Sequence, residues 1–122
     1  MKLFNRRATG QAYEAAAEKY LQGCGLVIIE RNFQVRGGEL DLIMRDDNTI
    51  VFVEVRYRQS QQYGHAAETV TPTKMKKLVK AANLWLMKQG LSVYSTDFRF
   101  DLVAIHQQGK QIEWIKNVIT QG

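Results

Sequence analysis

The chain has 122 residues, enough for one domain with a real core and too few for two. At 45% hydrophobic and 24% charged it reads as a folded protein rather than a disordered one, and its net charge of +5 permits an anionic partner without specifying it. A single cysteine, Cys24, excludes an intramolecular disulfide and a Cys-based zinc site, while apolar runs of about four residues (Leu26 to Ile29, Ile50 to Val53) fall far short of a membrane span.

The opening MKLFNRRATG is basic but leads into no apolar stretch, so a signal peptide is not expected and a reducing cytoplasmic setting is. Residues 1–8 are expected to form a loose N-terminus. From Thr9 to Cys24, Tyr13, Ala16, Ala17, Tyr20, Leu21 and Cys24 recur at helical spacing, and Gly23 with Gly25 can end that helix. Leu26 to Phe33 is rich in β-branched residues and reads as a strand. Glu39 to Met44 and Ile50 to Arg56, separated by Asp46-Asp47-Asn48, read as a β-hairpin. Tyr57 to Val70 is polar and reads as a loop.

Thr71-Pro72 supplies a capping hydroxyl followed by proline at the first helical position, predicting a helix from Pro72 to about Gln89. Met75, Leu78, Val79, Ala82, Trp85 and Leu86 share its apolar face. Lys76, Lys77, Lys80 and Lys88 fall on the other and read as a solvated polar face. Phe98 to Ile105 suits a buried central strand, in which Asp101 calls for a fixed partner, an ion pair with an arginine rather than a metal. A turn through Gln107 to Gly109 leads to a last strand, Gln111 to Ile115, and residues 116–122 are expected to be a loose C-terminus. Trp85 and Trp114 read as core residues, and His65 and His106 as surface residues.

The chemistry concentrates in the hairpin. Period-two geometry puts Glu39 and Asp41 on one face, with Leu40 and Leu42 on the other, and likewise pairs Glu54 with Arg56. Half-buried carboxylates crowd one another unless a cation, proton or hydrogen-bond donor compensates. Mg²⁺ or Mn²⁺ would do so, and would suit phosphodiester hydrolysis with a neighbouring basic group on the phosphate. Spacing alone is equally compatible with ion pairs to Arg36, Arg56, Arg58 or Arg99 on an exposed sheet face.

Gly37-Gly38-Glu39-Leu40-Asp41-Leu42-Ile43 followed by Val51-Phe52-Val53-Glu54-Val55-Arg56-Tyr57-Arg58 resembles the signature of the uncharacterised bacterial YraN-like family, in the Holliday junction resolvase-like branch of the PD-(D/E)XK endonuclease superfamily. The likeness runs from Gly10-Gln-Ala-Tyr-Glu14 through Asn32, Gly64, Ala66, Val70 and Lys74 to Arg99-Phe100-Asp101. It implies an α/β fold: one restriction-endonuclease-like domain with a mixed β-sheet flanked by α-helices. It further implies Asp41, Glu54 and the Val55 carbonyl as ligands of Mg²⁺ or Mn²⁺, with Glu14 as the helical glutamate of the site. Arg58 and Lys74 would bind substrate and Glu39 would support. DNA, branched or otherwise structured, would be the partner, and a homodimer is expected by analogy.

The sequence departs from the superfamily pattern at Arg56, where lysine is common. Arginine stays protonated and is a poor proton acceptor, although it can clamp a phosphate. Two readings therefore stand side by side: a metal-dependent endonuclease, and a nucleic-acid-binding module of the same fold without catalysis.

Overall fold

The computed structural model describes residues 6–58, 71–106 and 111–119. The elements run α1 (Arg6–Gly23), β1 (Val27–Val35), β2 (Gly38–Asp46), β3 (Thr49–Arg58), α2 (Pro72–Lys88), β4 (Phe98–His106) and β5 (Gln111–Ile115). The strands form one sheet in the order β1-β2-β3-β4-β5. Neighbours are antiparallel except β3 and β4, which are parallel from Ile50↔Phe98 to Arg58↔His106. A parallel pair needs a crossover, and α2 is carried in it. The result is the expected mixed-sheet α/β architecture, consistent with a restriction-endonuclease-like fold.

The two helices cover opposite faces. Leu78, Ala81, Ala82, Trp85 and Leu86 of α2 pack with Phe33, Leu40, Ile43, Phe52, Phe100 and Leu102. Within that layer Phe52 meets Trp85 and Phe98 edge-on, at centroid distances of 5.8 and 5.9 Å. Ala17 and Leu21 of α1 pack on the other face with Leu42, Met44, Val51, Val53, Val103 and Ile105. The predicted cap of α2 is formed: Thr71 Oγ1 accepts from the Lys74 amide at 3.2 Å, with Pro72 opening the helix.

Several expectations are corrected. Leu40 and Leu42 do not share a face, because Leu40 packs under α2 and Leu42 under α1. The alternation of β2 lapses between them, opposite Asn32 of β1, which takes φ 52° between the pairs Arg31↔Leu42 and Phe33↔Leu40. Asparagine tolerates this left-handed conformation better than most side chains. Tyr57 and Arg58, assigned to a loop, continue β3 because β4 pairs with them. Helix α1 begins at Arg6 rather than Thr9.

Residues 116–119 are not a loose tail: the Val118 amide donates to the Phe100 carbonyl at 2.8 Å and Ile119 joins the core. His106 is buried rather than on the surface, and its Nδ1 has no hydrogen-bond partner among the described residues. Lys88 is not merely solvated, since its Nζ lies 5.6 Å from the centre of the Phe33 ring. His65 and most of the 57–70 loop lie outside the described residues, as do the Gln107–Gly109 turn and residues 1–5 and 120–122.

Candidate acidic site

Strands β2 and β3 pair from Asp46↔Thr49 to Leu42↔Val53, and there the ladder ends. On its other edge β3 continues beside β4 for five more residues, to Arg58. The inner strand is thus held rigidly while its neighbour departs. Asp41 stands at the fork. Its Oδ2 accepts the Val55 amide at 2.9 Å, a side chain taking the hydrogen bond that a strand partner would otherwise supply. Strand geometry sends the Val55 carbonyl to the same edge as its amide.

Glu54, next to Val55 on β3, is buried. Its Oε1 is shared by two cations, Lys74 Nζ from α2 at 3.2 Å and Arg56 Nε at 3.3 Å. The arginine contact is an ion pair without hydrogen-bond alignment, so Arg56 Nε stays unsatisfied. Glu54 Oε2 also lacks a partner, and so does Glu14 Oε1 on α1. Three of the four buried side-chain polar atoms without a hydrogen bond among the described residues therefore belong to Glu14, Glu54 and Arg56. Native interiors seldom leave such atoms unmet without a functional reason.

The electrostatics follow from this crowding. Burial, the Glu54 charge and the Glu14 and Glu39 charges push Asp41 up to about 8, against the downward pull of the Val55 hydrogen bond. Burial also raises Glu54, although Lys74 and Arg56 draw it down. Glu14 is raised by burial and then by Glu39 and Glu54. Among the described residues no three Asp, Glu, His or Cys side chains converge tightly enough to encircle an ion. Asp41, Glu54 and the Val55 carbonyl provide two carboxylates and a main-chain oxygen, a donor set of the kind that leaves Mg²⁺ several waters.

The residues singled out from sequence thus divide clearly. Asp41, Glu54, Val55, Arg56, Lys74 and Glu14 come together, with Glu39 near enough for its charge to act on Asp41, Glu54 and Glu14. Arg58 is described only through its backbone, which pairs with His106. Asp101 lies elsewhere, fully buried. It accepts from Arg99 Nε at 3.0 Å, Trp114 Nε1 at 2.9 Å and the Asn117 amide at 2.9 Å, which is the arginine pairing expected of it.

One neighbour of the site escaped sequence reasoning. Tyr57 stacks on Tyr13 with centroids 4.2 Å apart and planes 11° from parallel, fastening α1 to β3 one residue from Glu14. Tyr13 stood in the helical apolar stripe, but its partner was hidden in a segment whose polarity suggested a loop.

Residues 13–105 match the model of a family described as "Uncharacterised protein family UPF0102". A UPF0102 protein of Vibrio cholerae serotype O1 is 56% identical over 122 residues, covering all of both chains. One from Vibrio vulnificus is 55% identical over the same full length. One from Aliivibrio salmonicida is 57% identical over 118 residues, 97% of this chain and 96% of that protein.

Proposed function

Because the chain belongs to the uncharacterised protein family UPF0102, whose description assigns no activity, we propose from the acidic site that it is a divalent-metal-dependent endonuclease-like protein acting on DNA. One observation carries this reading: at the β2–β3 fork, burial and neighbouring acids raise the pKa of Asp41, Glu54 and Glu14, and Glu54 Oε2 and Glu14 Oε1 have no partner among the described residues. Such a cluster is costly unless protons or a cation compensate. Protons satisfy it in acid, and a hard cation would satisfy it near neutrality.

Asp41, Glu54 and the Val55 carbonyl would hold Mg²⁺ or Mn²⁺. When bound, such an ion supplies Lewis acidity and an activated water for phosphodiester hydrolysis. The chain's own residues do the rest. Asp41 is oriented by the Val55 amide. Arg56 and Lys74 converge on one oxygen of Glu54, so a phosphate entering there would meet a guanidinium and an ammonium together. Lys74 bears on the superfamily departure: the ammonium missing at position 56 is provided from α2 instead. Glu14 carries a raised carboxyl to the edge of the site, where it can hold or release a proton near a bound water.

The supporting experiment incubates purified protein with labelled duplex, single-stranded and branched DNA, with and without Mn²⁺. Mn²⁺-dependent cleavage that disappears in both Asp41→Ala and Glu54→Ala is the expected result. Cleavage unchanged in those variants would assign the activity to another protein and defeat the reading. The non-catalytic alternative is favoured by Arg56, whose guanidinium stands unaligned beside Glu54 at the position where lysine is common in the superfamily. It predicts salt-sensitive DNA binding with no cleavage under any metal, and cleavage gained on Arg56→Lys.

A further inference from the structure

A cleft of about 340 Å³ opens beside the acidic site, between the β1–β2 turn and the first turns of α2. Gly37, Gly38, Glu39, Lys74, Lys77 and Leu78 are among its lining residues. We propose that this cleft is a backbone subsite, holding DNA phosphates that flank the one at the acidic site. The inference rests on the proposed function and extends it to a path for the substrate strand.

Three observations support it. The first is continuity: Lys74 reaches Glu54 and also lines the cleft, so one side chain joins the two places. The second is the nakedness of the turn. Gly37 takes φ +84° and has no side chain to obstruct an approaching backbone. Gly38 lies so close to α2 that a Cβ there would sit 2.8 Å from the Lys77 carbonyl oxygen. Turn and helix are therefore in backbone contact, and the floor of the cleft is fixed in place.

The third observation is charge. Lys77 lines the cleft, and Lys80 leans toward the turn, with its Nζ 3.7 Å from the position a Gly37 Cβ would take. Both are exposed, and neither forms an ion pair with a described residue. Glu39 is the one acid among the lining residues. Lys74 to Lys80 spans about 9 Å along the helix axis, against a rise of about 3.4 Å per nucleotide of a duplex strand. The lysines are thus spread widely enough to meet more than one phosphate of a strand. They require nothing from the bases, so recognition here follows the backbone and not the sequence.

The test measures binding of fluorescein-labelled duplex DNA in EDTA over a range of salt concentrations. It compares wild type, Lys77→Gln, Lys80→Gln, the double variant and a Lys76→Gln control, whose residue neither lines the cleft nor approaches Gly37. Each cleft lysine removed is expected to weaken binding by up to about tenfold at 0.1 M salt and to lower the salt slope by about one. Lys76→Gln should change neither by as much. A duplex with part of its phosphates replaced by neutral methylphosphonates should bind wild type more weakly, and the loss should be smaller for the double variant. If wild type binds and the cleft variants match Lys76→Gln, the subsite is overturned while the proposed function stands. If wild type binds no duplex, single-stranded or branched DNA at low salt, both fall together.

Discussion

The Val55 amide donates to the Asp41 carboxylate across 2.9 Å at the point where β2 and β3 cease to pair. A hydrogen bond to a carboxylate ordinarily favours its charged form. Here burial and the neighbouring acids outweigh it, and Asp41 is pushed up to about 8. The bond therefore acts chiefly on orientation, fixing where the acid stands.

Replacing that acid by its amide should separate its electrostatic and structural roles. Asp41→Asn retains an oxygen for the Val55 amide and removes a charge that its surroundings oppose. In chelator at pH 8 the variant is expected to be more stable than wild type by roughly 3–5 kcal/mol, one pKa unit being worth about 1.4 kcal/mol between the unfolded value of 3.8 and the folded one of about 8. At pH 5 the gap should be much smaller, because the unfolded carboxyl has only begun to gain from ionising while the folded one still holds its proton. Urea unfolding at both values checks this.

The pH dependence of wild type follows from the same shifts. The unfolded chain releases the Asp41 proton near 3.8, the folded chain near 8. Between those values the native state binds more protons, so stability falls as pH rises through that window. Glu14 and Glu54, also raised, add to the trend in the same direction. Thermal unfolding in EDTA should show a midpoint that declines from pH 5 to pH 8. If the site takes Mn²⁺, the ion should reverse that decline. At a hundred times its Kd it would contribute about 2.7 kcal/mol, most strongly at high pH, where it no longer competes with the protons.

Sharing of one Glu54 oxygen by Lys74 and Arg56 predicts non-additive losses. Lys74→Ala or Arg56→Ala alone leaves the buried carboxylate one cation, and each should cost about 1 kcal/mol. Removing both leaves it none, and breaking a buried pair outright costs about 3–5 kcal/mol. The double variant should exceed the sum of the singles, a coupling that a double-mutant cycle in urea measures directly.

Asp101 supplies a contrast. It binds three donors, from Arg99, Trp114 and the Asn117 amide, and fastens the segment after β5 to the sheet. Asp101→Ala should destabilise by about 3–5 kcal/mol, since it strips partners from buried groups. The emission of Trp114 should shift as well. DNA binding per folded molecule should be unchanged, which distinguishes this carboxylate from those at the fork.

Much of this was legible in the sequence, for local reasons. Thr71-Pro72 announced the start of α2 because capping depends on adjacent residues. Asp41 and Glu54 stood out because acids interrupt apolar strands. The facing of β2 departs from expectation because alternation presumes a regular backbone, and it lapses between Leu40 and Leu42, opposite the left-handed Asn32. Lys74 was recognisable as a phosphate candidate near a helix start. Its contact with Glu54 was not, because only the packing of α2 on the sheet brings together residues twenty apart. Tyr57 was lost to the loop for a similar reason: the partner strand that extends β3 lies some forty residues downstream.

Asn32, at positive φ, stands between the two pairs that flank Asp41, carries no charge of the site and lies on an edge strand. The backbone beside the acid is thus bordered by a residue with no part in the acids' own chemistry, much as a hinge sits on a door without touching the lock.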